Sequence, residues 1–365
     1  MERDDIVRLL QDGHGESPAE AREHVIAYLD ELRTTQRYHL YRALQHPLYP
    51  IFRKITRIVE HPEIPKRAAA DGRVIYVSNH KSHTDYLVEL VVIDDLGIRP
   101  PLIAAGINLF SGPLGLIQRH VTGAIPIRRN TRDPVYLITL KAYVAEVLKR
   151  RDLFFYLEGG RSYSGEIKAP KTGLLHASME AGLTGVNIVP TAVAYDLVLE
   201  DRSLSHQGVK KRQRPFTREL AEMVGMAVGY KTRAFVTFGE PIPLDDYHPK
   251  SRREVLALAH RTRDAIGRLY KVVPTALVAT AIRASQTTRE LEARVAELVD
   301  QLREAGANLA VRDGKQAVDE GVAALAKRRI VKRTGGRVRV RDRQTLRYYA
   351  RTIQHLLPAP SSNRR

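Results

Sequence analysis

The sequence predicts an α/β fold in which a central sheet is flanked by helices. Between residues of about 66 and 245, short runs rich in β-branched and aromatic residues alternate with longer stretches of helical spacing. The chain has 365 residues, 43% hydrophobic and 27% charged, which is enough to bury the core of one or two globular domains. This composition excludes a disordered tail, a disulfide-stapled miniprotein and a low-complexity linker.

The charge balance predicts an anionic partner. Lysine and arginine number 59 and aspartate and glutamate 41, a net charge of +18, which suits nucleic acid, an anionic membrane surface or a phosphorylated substrate. Cysteine is absent, which excludes thiolate nucleophiles and Cys-ligated metals and fits a reducing cytoplasm. The sequence shows no signal peptide and no apolar stretch of about 20 residues, so we expect a cytoplasmic protein, soluble or peripherally attached to the cell membrane.

Residues 1–65 predict an N-terminal helical region. Residues 18–49 carry Ala, Leu and Glu at helical spacing, and prolines interrupt the following segment. Residues 48–59 alternate apolar residues with Arg and Lys, which predicts a basic amphipathic helix. Such a helix either packs on the main domain or contacts a membrane.

Residues 66–250 predict the main α/β domain. The predicted strands cover residues 74–78, 124–127, 153–157, 188–195 and 234–238. The uncharged stretch at 101–118 contains prolines and glycines, so we expect either the wall of an apolar cleft or a patch that rests on lipid. Catalytic groups are expected on the loops at the strand ends.

Residues 251–365 predict a mainly helical, basic C-terminal region. Helices are expected at 252–270, 287–305 and 314–327, followed by a hairpin at 330–340 that turns at Gly335-Gly336. From Lys327 to the end there are 13 Lys and Arg and one Asp. This basic segment suits an anionic lipid surface. Two helices followed by a basic hairpin also resemble a winged-helix outline, which leaves nucleic-acid binding open as a different function.

The strongest candidate site lies at residues 74–90. A strand ends near Ser78, His80 stands in the turn, and Asp85 falls in the first turn of the next helix. Because His80 precedes that helix, its imidazole can fold back onto the Asp85 carboxylate, which would fix the tautomer and leave the other nitrogen free to take a proton. The motif contains no nucleophile, so the substrate would supply the attacking hydroxyl. Alternatively, Ser82 and Asp85 form an S-x-x-D capping box and Asp85 only caps the helix.

Three further segments add charge and tight turns. The strand at 124–127 leads into Arg128 and Arg129, of which only one is expected to face the cleft because neighbouring strand residues point to opposite faces. The strand at 153–157 runs into EGGRS at 158–162, whose glycines permit close ligand approach. Arg161 in that loop and Lys171 beyond it carry charge suited to a phosphate. The strand at 187–196 has a proline near its start.

In this order, the four segments resemble the four blocks of the glycerolipid acyltransferases: H-x4-D, G-x-x-x-I-R-R, E-G-x-R-S and a proline-containing strand. Further segments resemble the bacterial glycerol-3-phosphate acyltransferase branch: AAGINL at 104–109, PKTGLL at 170–175, FGEPIPL at 238–244 and LRYYARTIQHLL at 346–357. The resemblance covers residues of about 70–245 and the last part of the C-terminal region. It implies a PlsC-like acyltransferase fold with a central mixed β-sheet flanked by helices.

The resemblance also implies roles for individual residues. It makes His80 the general base and Asp85 its orienting partner. It assigns the acceptor phosphate to Arg128 and Arg161, with Lys171 less directly involved. Supporting roles fall to the following residues: Arg129, Glu158, Gly159 and Ser162. Members of this family use acyl-CoA or acyl-carrier protein as co-substrate and need no cofactor or metal.

The implied reaction is acyl transfer from the thioester to the 1-hydroxyl of sn-glycerol 3-phosphate, without a covalent intermediate, in phospholipid biosynthesis. Dihydroxyacetone phosphate and lysophosphatidate remain open as acceptors. The implied location is peripheral, at the inner face of the cell membrane. Three positions depart from the family pattern: Lys81 stands where Arg is commoner, Pro126 where an aromatic is expected, and Tyr163 where another Arg is usual. They bear on substrate preference rather than on reaction type.

Overall fold

A computed structural model describes residues 18–43, 55–110, 112–210 and 232–358. Its larger sheet has eight strands, seven of them in the order β1-β7-β6-β2-β5-β3-β4, with β8 paired to β6. A smaller sheet has the order β10-β11-β9. The strands are β1 Ile55–Glu60, β2 Arg73–Ser78, β3 Leu102–Gly106, β4 Ala124–Ile127, β5 Leu153–Tyr156, β6 Val186–Tyr195, β7 Thr232–Phe238, β8 Ile242–Pro243, β9 Ser285–Thr287, β10 Val331–Thr334 and β11 Arg337–Val340.

Helices cover both faces of the larger sheet. They are α1 Pro18–Leu32, α2 Glu63–Asp71, α3 Asp85–Asp95, α4 Gly112–His120, α5 Pro134–Arg150, α6 Gly173–Met179, α7 Asp201–Lys210, α8 Arg252–Leu269, α9 Pro274–Ala281, α10 Thr288–Glu304, α11 Gly314–Lys327 and α12 Arg343–Arg351. Residues 38–43 are also helical. None of the helices in the described ranges combines the length and hydrophobicity needed to cross a bilayer.

The larger sheet is mixed, and this confirms the predicted fold class. Strand β2 lies between β5 and β6 and is parallel to both, whereas β6 and β7 are antiparallel. Four apolar residues in a row make β2 suitable for a position covered on both faces. Val74 and Tyr76 pack into one buried cluster of side chains, and Ile75 and Val77 pack into the other.

The N-terminal part of the sheet differs from the prediction. The basic amphipathic helix expected at 48–59 is wrong for residues 55–59, which belong to strand β1, and residues 48–54 lie outside the described residues. Strand β1 pairs in parallel with β7, with Ile55 opposite Thr232. The β-branched residues of this segment favour a strand, and Arg57 lies at a sheet edge, where it pairs with Asp95 at 3.3 Å. The predicted domain limits at 65 and 250 stay predictions, although β1 joins the sheet before the first of them.

The uncharged stretch at 101–118 also contains a strand that the sequence did not indicate. Strand β3 fills its first part and pairs with β4 and β5. A short 3-10 turn, Ile107–Leu109, follows, and α4 begins within the stretch. Asn108 and Leu109 of this turn line the cavity described below.

From α9 to β11 the C-terminal elements follow the order helix–strand–helix–helix–strand–strand, which includes the two helices and the hairpin of the predicted outline. Helices α8, α10 and α11 and the hairpin β10–β11 lie within one or two residues of their predicted limits, whereas α9, β9 and α12 were not predicted. The exposed residues of α11 include Lys315, Asp319 and Lys327, which mix both charges. Because fold does not determine function, nucleic-acid binding stays a prediction.

The C-terminal region packs on the loop between β5 and α6. Gly165 of this loop adopts a φ of +90°, and a Cβ there would stand 2.1 Å from the carbonyl oxygen of Tyr348. Arg351 lies 3.6 Å from Glu166, and the Arg263 Nε donates to the carbonyl of Lys168 at 3.2 Å. Residues after 250 therefore support a loop of the main sheet.

This packing predicts the effect of Gly165→Ala. The added methyl group would overlap a backbone atom of Tyr348, so we expect the free energy of unfolding to fall by about 1–3 kcal/mol more than in a control without that overlap. Gly336→Ala is the matched control, because its φ is +70° and nothing lies within 4 Å of the added atom. Urea unfolding of both variants measures the difference, and equal losses would contradict the packing.

Candidate active site

The candidate site lies where strands β2 and β5 end. The two strands are parallel neighbours, with Ser78 opposite Tyr156, so their following loops leave the same edge of the sheet. The loops touch directly, since the Ser162 N–H donates to the carbonyl of His80 at 2.9 Å. A cavity of about 920 Å³ opens at this edge, and both loops line it.

His80 and Asp85 meet as the spacing predicted. His80 Nδ1 lies 3.0 Å from Asp85 Oδ2, and the two residues are 8% and 0% exposed. The same oxygen also accepts the backbone N–H groups of Lys81 at 2.6 Å and Ser82 at 2.8 Å. Asp85 thus holds the imidazole and organises the turn at once.

The capping-box alternative is present only in part. Asp85 accepts the N–H of Ser82, which is one half of a capping box. The other half would need the Ser82 hydroxyl at the start of α3, but Thr84 occupies the N-cap there and makes no side-chain cap bond. The Ser82 hydroxyl instead donates to Glu200 at 2.5 Å. Helix capping therefore does not account for the contact between Asp85 and the imidazole.

The imidazole is also held from its face. Its ring stacks on Tyr156 with 3.9 Å between centroids and an interplanar angle of 4°. The Tyr156 hydroxyl donates to the buried carboxyl of Glu89 at 3.1 Å, and the Ser78 hydroxyl donates to the same group at 2.5 Å. Burial raises the pKa of Glu89 well above its usual range. Neither Tyr156 nor Glu89 carried a signal in the sequence.

The surroundings keep His80 neutral. Burial lowers the pKa of His80 well below its usual value, and the positive charges of Arg161, Arg129 and Lys168 lower it further. Burial raises the pKa of Asp85 to about 6. With Nδ1–H donated to Asp85, the Nε2 lone pair of a neutral ring remains available to a bound ligand, which is what a general base requires.

The two consecutive arginines after β4 have different environments. The guanidinium of Arg128 forms a two-pronged pair with Glu31 of α1, at 2.8 and 2.5 Å, and lies over the rings of Tyr28 and Tyr136. Both arginines line the cavity, but within the described residues no ion pair joins Arg129 to a carboxylate, in contrast to Arg128. Burial lowers the pKa of Arg129. Its guanidinium lies close to Gly160, since a Cβ added at that glycine would stand 3.6 Å from Nη1 of Arg129.

More positive charge comes from the loop after β5. The Arg161 guanidinium faces Glu200 at 3.8 Å. Lys168, which the sequence analysis passed over, donates from Nζ to the carbonyl of Arg161 at 3.0 Å. Lys171 lies exposed at the rim. All three cationic side chains line the same cavity as His80.

The predicted supporting residues shape this loop. Glu158 accepts the N–H of His80 and the N–H of Lys168, each at 3.2 Å, so one carboxylate bridges the two loops. Gly159 adopts a φ of +64°, and the buried Ser162 hydroxyl donates to the carbonyl of Glu166 at 2.7 Å. These contacts are structural, and the roles assigned to the residues stay predictions.

The departures from the family pattern also lie close to the site. Lys81 is 1% exposed. Its ammonium donates to the carbonyls of Gly165 at 2.7 Å and Glu166 at 3.1 Å, and lies 5.6 Å from the centre of the Tyr270 ring. Tyr163 lies beside Arg161, and Pro126 occupies strand β4.

One wall of the cavity is apolar. It combines side chains from the ends of β4 and β5 with side chains from helices α5 and α6 and from the 3-10 turn. The residues are Leu109, Ile127, Leu137, Leu140, Phe155 and Leu174. The cavity therefore brings together a neutral imidazole, cationic side chains and hydrocarbon side chains.

Comparisons with known proteins agree with this arrangement. The Acyltransferase family model matches residues 57–194, and the model of the glycerol-3-phosphate acyltransferase C-terminal region matches residues 227–362. The first region of the chain is thus similar to acyltransferase domains, and the second is similar to the C-terminal region of glycerol-3-phosphate acyltransferases. The resemblance that the sequence motifs predicted is thereby confirmed.

Curated relatives of this chain are named glycerol-3-phosphate acyltransferase. A glycerol-3-phosphate acyltransferase of Aeromonas hydrophila is 30% identical over 95% of this chain and 47% of its own length. A second, of Glaesserella parasuis, is 33% identical over 62% of this chain and 29% of its own. The chain thus spans about half or less of the length of these relatives. The crystal structure of the 1-acyl-sn-glycerophosphate acyltransferase PlsC from Thermotoga maritima overlaps 58% of this chain and 71% of its own, at 18% identity and a TM-score of 0.34.

The electrostatics of the site predict the titration of His80. Because burial and neighbouring cations disfavour the imidazolium, the ring resonances of His80 should titrate with a midpoint below the ordinary value of about 6.5. Asp85→Asn should lower the midpoint further, since the imidazolium loses its carboxylate. NMR on the full chain measures both, with the His80 signal identified by its loss in His80→Gln. A midpoint at or above the ordinary value would contradict this account.

Proposed function

We propose that this chain transfers an acyl chain from a thioester to the 1-hydroxyl of sn-glycerol 3-phosphate. The observation that carries the proposal is the shared cavity, in which the neutral imidazole of His80, held by Asp85, shares one lining with cationic and apolar side chains. The cations suit the acceptor phosphate, and the apolar wall suits the acyl chain. The names of the curated relatives support the same reaction.

In the proposed reaction, Nε2 of His80 takes the proton of the substrate hydroxyl as its oxygen attacks the thioester carbonyl carbon. The new ester C–O bond forms, the C–S bond breaks, and the leaving thiolate takes the proton back from the imidazolium. Asp85 keeps the Nδ1 proton in place and stabilises the transient positive charge. A positioned base of this kind contributes about 10²–10⁴-fold to the rate.

The phosphate of the acceptor would bind at Arg129 and Arg161, assisted by Lys168 and Lys171. This assignment moves one role, because the sequence analysis placed Arg128 on the phosphate and Arg129 in support. Both arginines line the cavity, but the Arg128 guanidinium already has a carboxylate partner and two aromatic neighbours, whereas no such carboxylate pairs with Arg129 among the described residues. Fixing the phosphate orients the hydroxyl toward His80, which lowers the entropic part of the barrier.

The acyl chain would lie along the apolar wall. Acyl-CoA and acyl-carrier protein both present such a thioester, and the chemistry invokes no cofactor or metal. Dihydroxyacetone phosphate and lysophosphatidate remain alternative acceptors, because each carries a phosphate and a hydroxyl. Exposed apolar side chains at Ile107, Leu116 and Leu137, of which Leu137 lines the cavity, support a peripheral location at the inner face of the cell membrane.

His80→Ala tests the base. We expect thiol release from palmitoyl-CoA to require glycerol 3-phosphate in the wild type and to fall by at least about 10²-fold in the variant, because the hydroxyl loses its proton acceptor. His260→Ala is the control, since that histidine is exposed on α8 and should keep full activity.

A wild type with no acceptor-dependent release would contradict the proposed function, provided that acyl-carrier protein and anionic vesicles had also been tried. Dihydroxyacetone phosphate and lysophosphatidate are assayed in parallel. Release that depends on one of them alone would replace the acceptor and leave the reaction type intact.

Comparing Arg129→Ala with Arg128→Ala tests the phosphate assignment. Losing a charge-assisted contact at Arg129 should raise the KM for glycerol 3-phosphate by about 10- to 100-fold. Arg128→Ala should change that KM much less and lower the unfolding midpoint instead, because α1 loses its ion pair with the sheet. Steady-state kinetics and thermal unfolding measure the two effects, and the reverse pattern would return the phosphate to Arg128.

A further inference from the structure

Two consecutive carboxylates without a step in the proposed reaction are buried next to the site, and the first of them, Glu200, lies 3.8 Å from the Arg161 guanidinium. Glu200 and Asp201 follow strand β6 and begin helix α7, and they are 2% and 0% exposed. Burying a carboxylate is costly unless hydrogen bonds or a cation compensate it. The contacts of these two residues therefore show what the structure gains from them.

Glu200 binds the turn between His80 and Asp85, which is here called the catalytic turn. One carboxylate oxygen accepts the Ser82 hydroxyl at 2.5 Å, and the other accepts the backbone N–H of His83 at 2.8 Å. The Ser82 hydroxyl also lies 2.8 Å from that of Thr84. The catalytic turn is thus held by hydrogen bonds to two carboxylates, those of Asp85 and Glu200.

Asp201 binds the C-terminal region. Both of its oxygens pair with the guanidinium of Arg328, which is 7% exposed. The Tyr349 hydroxyl donates to Asp201 at 2.8 Å and accepts the N–H of Val198 at 3.1 Å. The peptide that carries Glu200 is therefore anchored by residues that lie more than 120 positions further along the chain.

We propose that Glu200 is a positioning residue for acyl transfer and that the C-terminal region, through Arg328 and Asp201, holds it against the catalytic turn. This inference rests on the proposed function. Glu200 acts by its hydrogen bonds to Ser82 and His83, which fix the path of the backbone from His80 to Asp85. Misplacing that backbone turns the imidazole away from the hydroxyl, and small displacements of a catalytic group are costly for the rate.

The chain offers a variant that keeps the hydrogen bonds and one that removes them. In Glu200→Gln the amide oxygen can accept the His83 N–H and the amide NH2 can donate to the Ser82 oxygen, because a hydroxyl both donates and accepts. Glu200→Ala loses both contacts, and both variants lose the negative charge beside Arg161, so a difference between them reports on the hydrogen bonds alone. A positioning role through hydrogen bonds therefore predicts rescue by glutamine.

The first experiment measures kcat and both KM values for these variants. We expect Glu200→Ala to lower kcat by about 10- to 100-fold with the KM for the thioester unchanged, and Glu200→Gln to recover most of kcat. Glu60→Ala is the matched control, because Glu60 is a partly buried carboxylate bound by Lys271, Asn308 and Thr237. It should lose stability and keep kcat. Wild-type kcat in Glu200→Ala, or equal losses in the alanine and glutamine variants, would overturn the proposal.

If Glu200→Ala does not fold, Ser82→Ala tests the proposal instead, because it removes one of the two hydrogen bonds of Glu200 with a smaller change. It should lower kcat severalfold, and wild-type kcat in a folded Ser82→Ala would overturn the proposal. The assay also separates the two levels of inference. A wild type without acceptor-dependent thiol release refutes the proposed function, whereas an active wild type matched by these variants refutes only the role of Glu200.

The second experiment tests the link to the C-terminal region. Arg328→Lys keeps the charge and loses the two-pronged contact with Asp201, and Arg328 does not line the cavity. We expect a lower kcat with unchanged KM values. Because both residues act on one element, the loss in the double variant with Glu200→Ala should equal that of Glu200→Ala alone. An unchanged kcat in Arg328→Lys, or losses that multiply, would overturn the link.

Discussion

The Asp85 carboxylate is the interaction on which the candidate site depends. A single buried oxygen of this carboxylate accepts hydrogen bonds from the imidazole of His80 and from the backbone N–H groups of Lys81 and Ser82. The hydrogen bonds compensate the cost of removing the carboxylate from water. Since one atom holds both the turn and the ring, the position of the imidazole is tied to that of the backbone that carries it.

The turn between His80 and Asp85 needs further hydrogen bonds from other parts of the chain because it lies between a strand and a helix without regular pairing of its own. Glu158 joins it to the loop after β5, and Glu200 joins it to the segment after β6. The buried ammonium of Lys81 donates to two carbonyls of the loop after β5 and lies over the ring of Tyr270. Through Tyr270 and Arg328 the C-terminal region takes part in this support, which gives a physical reason for the two matched family regions to occur in one chain.

The features that depend on a local sequence pattern were predicted correctly from the sequence. The β-branched and aromatic runs of β2, β4, β5, β6 and β7 gave their strands, and the spacing of His80 and Asp85 gave their contact. Strand β1 was missed because its basic residues mimic an amphipathic helix, and β3 because it lies in an uncharged stretch with prolines and glycines. Glu200 could not be found, since its partners lie 117 and 118 positions away. The choice between Arg128 and Arg129 depends on Glu31, 97 positions away.

The cations of the cavity have two effects that oppose each other until an anion binds. In the proposed function Arg129, Arg161 and Lys168 attract a phosphate, and the same charges lower the pKa of His80, which would weaken it as the proposed base. In the proposed complex the phosphate dianion would cancel part of that field and raise the basicity of the imidazole. The ring would then be neutral while the cavity is empty and a stronger base once the acceptor is bound. The proposed acceptor thus improves the base that activates it, which an acceptor without a phosphate cannot do.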